Sequence, residues 1–119
     1  MKILHLTLKK KWFDMIASGE KKEEYRELKD FWWKRLCLVS PVKFSLATIF
    51  NKGERVDSLF IDYTHICFRN GYSKNAPSIM VQCLGISIGP AKPEWSNNWE
   101  GEVFVIKLGE ITTPPPLQS

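Results

Sequence analysis

One stretch of this chain gathers charged side chains at a spacing that chemistry could use: Ser18-Gly19-Glu20-Lys21-Lys22-Glu23-Glu24-Tyr25-Arg26. Lys21 could serve as a point-charge ligand for phosphate or, if desolvated, as a proton-transfer group. Glu24, three residues on, is a partner for it, and the two together could activate a water molecule. In an extended segment Glu24 and Arg26 share one face, and Tyr25 shares the other with Glu23 and Glu27. Lys21 has the opposite parity to Glu24, so the two converge only if the chain rotates after Gly19, which a residue without a Cβ permits. Converged but wet, the pair is a salt bridge that orients a phosphate ligand. Converged and dry, the lysine titrates nearer neutrality and exchanges protons at physiological pH. Without convergence the segment is an ordinary solvated strand with alternating salt bridges.

Two further groups have ligand chemistry. Lys10 and Lys11, with Lys9 before them, stand at the start of a helix, where the dipole disfavours cations unless an anion such as phosphate is near. The loop from Arg69 to Pro77 offers Arg69, Asn70 and Lys74 around Tyr72, a stacking face amid charge, which is what single-stranded nucleic-acid sites use. The plainer reading of that loop is a hairpin connection with a surface tyrosine. Trp95 and Trp99, in EWSNNWEG, could stack on a base, but closing one end of a barrel is the simpler role. His5 and His65 have no carboxylate or thiol around them at a usual ligand spacing, and Cys67 at i+2 from His65 completes no set. No metal or other cofactor is expected. Cys37, Cys67 and Cys83 are odd in number and widely spaced, so they read as reduced packing residues.

The overall balance favours a polyanionic partner. The formal charge is +4, and residues 1–35 hold ten Lys/Arg against six Asp/Glu while the remainder holds seven against seven. A one-sided basic region gains affinity for nucleic acid by releasing counterions from phosphates. A lysine-rich solvated face that keeps the protein soluble is the other reading. No run approaches the roughly 18 apolar residues of a membrane helix, and lysines follow the first apolar stretch where a signal peptide would continue. A cytoplasmic protein with no membrane partner is expected.

The elements that must position these residues follow from periodicity. With 119 residues, 44% hydrophobic and 25% charged, one core is expected. Residues 3–8 (ILHLTL) read as a mostly buried strand, less polar than an edge would be. Trp12, Met15 and Ile16 fall at i, i+3 and i+4 of a helix over 9–18, stopped by Gly19. Asp30 is placed as the N-cap of a second helix, DFWWKRLCL, limited by Pro41. Strands are expected at 43–50, 59–69, 78–88 and 102–108, broken by Asn51-Lys52-Gly53, by Asn70-Gly71 with Pro77, and by Gly89-Pro90 with Pro93. The fold class is therefore α+β, a small mixed barrel of five to six strands with two short N-terminal helices. A single domain spans 1–111, and residues 112–119, with three consecutive prolines, read as an unpacked polyproline-like tail.

The segment from Ser18 to Arg26, after a strand and an amphipathic helix, resembles the Gly-x-Lys-x-x-Glu-x-Arg signature of the ASCH domain family. FRNGYSKNAP (68–77) and FVIKLGEI (104–111) are similar to later strands of its small bacterial and phage-type members, so the resemblance covers nearly the whole chain. It implies a PUA-like β-barrel with a cleft lined by the signature, and a stand-alone domain that binds RNA, a nucleotide or a modified nucleoside. It also implies an alternative, a small hydrolase: an amidohydrolase of acylated nucleosides or a ribonuclease. Members described as acting on acylated cytidine place a threonine nucleophile three residues after the lysine. Here Glu24 stands at that spacing and lacks the hydroxyl, leaving a Lys21/Glu24 acid-base pair as the catalytic option.

Overall fold

The computed structural model describes residues 1–38 and 60–113. The strand expected at 43–50 and its turn at 51–53 lie outside the described residues. Along the chain run β1 (Ile3–Leu8), α1 (Lys10–Ala17), β2 (Glu23–Arg26), α2 (Asp30–Leu36), β3 (His65–Asn70), β4 (Ser78–Pro90), a single 3-10 turn at Pro93–Trp95, and β5 (Glu102–Ile111). The strands form one five-stranded sheet in the order β1-β3-β4-β5-β2, so the fold is a small α+β arrangement with two short helices early in the chain. Among the described residues β1 ends that order, an edge position for a strand expected inside.

By internal contacts the chain divides into two compact units, each drawn from separate stretches of the sequence. The first comprises Met1–Glu24, Tyr63–Leu84 and the chain from Lys107 on. In it β1 runs parallel to β3, with Leu4 beside Ile66 and Leu6 beside Phe68, and β3 runs antiparallel to β4, with Ile66 beside Val81 and Phe68 beside Ile79. Alternation thus aligns two apolar rows, Leu4-Ile66-Val81 and Leu6-Phe68-Ile79, on one face. Helix α1, whose buried residues are Phe13 and Ile16, packs against β1 and β3.

The second unit takes Tyr25–Asp62 and Gly85–Ile106. Trp33 of α2 meets Phe104 edge-on at 4.9 Å between ring centroids, and Phe60 meets the same ring at 6.0 Å. On the other face of β5, Val103 and Val105 cluster with Tyr25, and Ala91 and Trp95 pack against them. β5 is therefore buried on both faces from Val103 to Ile106, which a continuous apolar run permits and strict alternation would not.

Several boundaries differ from expectation for local reasons. Strand β3 begins at His65, well inside the expected 59–69; Thr64 just before it bonds Lys2 through its hydroxyl and backbone N–H and accepts the Cys83 N–H at its carbonyl. Asp30 is the first helical residue and Lys29 the cap position, with no side-chain cap bond. The expected break at Gly89-Pro90 is the end of β4: as the last residue of a strand, proline forfeits no donor. Within β4 the buried residue Val81 sits at an odd position while Ile86 and Ile88 sit at even ones. The phase reverses around Gly85, whose φ of +143° few other residues adopt. Thr112 and Thr113, assigned to the tail, hydrogen-bond Met80 through their backbone N–H groups at 2.8 and 3.3 Å.

Candidate functional site

The turn after α1 builds the site. Ser18 N–H donates to the Asp14 carbonyl, Gly19 N–H to that of Ile16, and Lys21 N–H reaches back to Met15 at 2.9 Å. Gly19 sits at φ +85°, the left-handed conformation that ends helices and that a Cβ disfavours. The chain thus reverses before β2 starts. Lys22 O then accepts the Leu108 N–H at 2.9 Å, tying the reversed segment to β5.

The consequence is convergence of Lys21 with Glu24. The ammonium donates to Glu24 Oε1, and the two side chains are 2% and 4% exposed. The Lys21 Nζ also lies 4.8 Å from the centroid of the Trp12 ring, a cation-π contact. Among the described residues no buried side-chain nitrogen or oxygen lacks a hydrogen-bond partner. Removing two ions from water costs several kcal/mol each, and their attraction repays this only with good geometry. A dry ion pair is consequently a poor stabilising device compared with apolar residues of the same volume.

A pocket of about 250 Å³ opens beside the pair. Lys21 lines it, with Ile16, Val81, Leu108 and Ile111 as apolar walls and Lys22 and Glu110 as charged ones. Glu24 is not among the lining residues, so the carboxylate holds the lysine from outside the pocket. The volume is near the small end for ligand sites, enough for a ring-sized group.

The other candidate residues fall elsewhere. Arg26 belongs to the second unit, Lys21 and Glu24 to the first. It donates from Nη1 to the Tyr25 carbonyl at 2.7 Å and lies 5.0 Å from the Trp32 ring centroid. Lys10 pairs with Asp14 one turn on, both exposed, and Lys11 Nζ lies 4.5 Å from the Trp12 centroid. Arg69 donates to the Ser73 carbonyl at 2.7 Å, Asn70 N–H to that of Pro77 at 2.9 Å, and Tyr72 is 91% exposed beside exposed Lys74. Trp95 packs on the Tyr25 cluster, and Trp99 stands edge-on to Tyr25 at 6.5 Å. Tyr25 accepts the Lys92 N–H at its hydroxyl, 3.1 Å away.

The residue that spacing missed is Trp12. It read as one member of an apolar helix stripe, yet one indole carries both Lys11 and Lys21. The available signal was the helix-glycine reversal, which folds the chain after Gly19 back toward α1. Among the described residues no group of three or more His, Cys, Asp or Glu is placed to hold a metal, and no helix is long and apolar enough to cross a membrane. Comparison with protein-family models, with curated proteins and with solved structures finds no match.

Proposed function

We propose that this chain is a cytoplasmic ASCH-type domain that binds a nucleoside or nucleotide, free or within RNA, in the pocket walled by Lys21. The observation that carries the reading is the Lys21/Glu24 pair: a charge kept dry, at a net cost apolar residues would avoid, in the wall of a small apolar pocket. Charged pairs held out of water beside a cleft are costly to keep and concentrate at functional sites. The apolar walls suit the faces of a base, and the lysine suits a carbonyl or phosphate oxygen. The same proposal makes the five-stranded sheet part of a PUA-like mixed barrel.

The hydrolase alternative draws on the contact between Lys21 and Glu24, an acid-base pair that could activate a water molecule. It requires Glu24 to reach the reacting group, and Glu24 does not line the pocket. Binding is therefore preferred. Calorimetric titration of cytidine, an acylated cytidine and cytidine monophosphate tests it. Saturable binding by the wild type, weakened at least about tenfold (1.4 kcal/mol) in Lys21→Met/Glu24→Leu, is expected. Lys21-dependent release of product from the acylated nucleoside would replace the binding module with the hydrolase.

A further inference from the structure

A pocket sized for one ring leaves the rest of any nucleic-acid strand to be held by another surface. The parallel register sets Leu8 beside Asn70, and Gly71 N–H donates to the Leu8 carbonyl at 3.1 Å. The segment leading from β1 and the loop leaving β3 therefore emerge at the same end of the sheet. Residues 7–13 and 68–79 carry five cations, Lys9, Lys10, Lys11, Arg69 and Lys74, and no carboxylate. Lys10 is engaged by Asp14.

Tyr72 stands at the tip of that loop with 91% of its surface in water, more than any other large hydrophobic side chain among the described residues. The loop beneath it is tied down. Arg69 Nη2 donates to the Ser73 carbonyl at 2.7 Å, Ala76 N–H donates to the same carbonyl at 3.0 Å, and Asn70 N–H donates to Pro77 at 2.9 Å. A ring presented on a pre-ordered loop loses little entropy when a ligand covers it.

We infer that this end of the sheet is a single-stranded nucleic-acid surface, in which Tyr72 stacks a base and Lys9, Lys11 and Lys74 contact the flanking phosphates. It rests on the nucleotide reading of the pocket only for the choice of ligand; the cations and the exposed ring are independent of Lys21. Stacking is sequence-tolerant because every base has a π-face, so the surface discriminates single strands from duplex, not one sequence from another. An acidic peptide would satisfy the lysines but leave the ring unused.

Fluorescence anisotropy with labelled octamers of single-stranded RNA, single-stranded DNA and duplex, at several salt concentrations, tests the proposal. Three phosphate contacts predict a log-log salt slope of about −2 for single strands. Tyr72→Ala is expected to weaken octamer binding by about 5- to 100-fold with the slope unchanged, and Lys74→Ala to flatten the slope by about 0.7. Both residues are exposed, so both variants fold. Lys21→Met/Glu24→Leu is expected to lose the mononucleoside and retain salt-dependent octamer binding. Octamer affinity indifferent to Tyr72→Ala, equal competition by polyglutamate, or octamer binding lost only with Lys21 overturns the surface. The last of these leaves the pocket standing, whereas failure of mononucleoside binding alone leaves the surface standing.

Discussion

Lys21 and Glu24 meet out of water, their side chains 2% and 4% exposed, although regular strand alternation would put them on opposite faces. Breaking such a pair strands a buried charge. Lys21→Ala and Glu24→Ala should each destabilise the protein by about 3–5 kcal/mol, while Lys21→Met/Glu24→Leu should be near neutral or stabilising. Urea unfolding of the three variants checks this. Single variants costing under about 1 kcal/mol would mean a wet pair of the surface kind.

Gly19 is what brings the two together. Its φ of +85° should make Gly19→Ala cost about 1–2 kcal/mol, even though the nearest atom to an added Cβ, Lys22 Nζ, is 3.8 Å away and leaves room. Gly19→Asn should recover part of that loss, because asparagine tolerates the left-handed region. Thermal melts of the two variants distinguish conformational strain from crowding: equal losses in both would point away from the backbone.

Burial pushes the Cys37 thiol up from 9.0 to about 12. The folded state favours the neutral thiol, so this contribution to stability is fully present below about pH 9 and falls away as pH rises from there toward 12. Wild type should therefore lose more stability than Cys37→Ala between pH 8 and pH 10.5, as urea midpoints at the two values would report. Under native conditions the half-buried Cys67 and Cys83 should react with a thiol reagent well before Cys37. Cys37 alkylating as fast as the other two would contradict its burial.

What was legible in the sequence was local. The Trp12, Met15 and Ile16 spacing located α1, and Gly19 located both its end and the rotation on which Lys21 and Glu24 depend. The parity of Glu24 and Tyr25 was readable too: the first points to Lys21, the second to Val103 and Val105. Less was readable where a local feature competes with the period-two pattern. Gly85 reverses the phase of β4 in mid-run, a choice that depends on the neighbouring chain. The pocket was not legible, since Val81, Leu108 and Ile111 come from strands far apart in sequence. Nor was the double use of Trp12, because a helix stripe shows which residues face inward but not what they meet.

The most direct measurement of the nucleotide site is a two-dimensional amide NMR titration with cytidine monophosphate, a ligand of about one ring and one phosphate. Saturable shifts are expected at Gly19, Lys21, Lys22 and Leu108 to Ile111, the backbone around the pocket, with the amides of residues 71–75 little changed. Shifts confined to residues 71–75, or none with ligand at about 1 mM, the weak end of specific binding, would contradict a nucleotide site at Lys21.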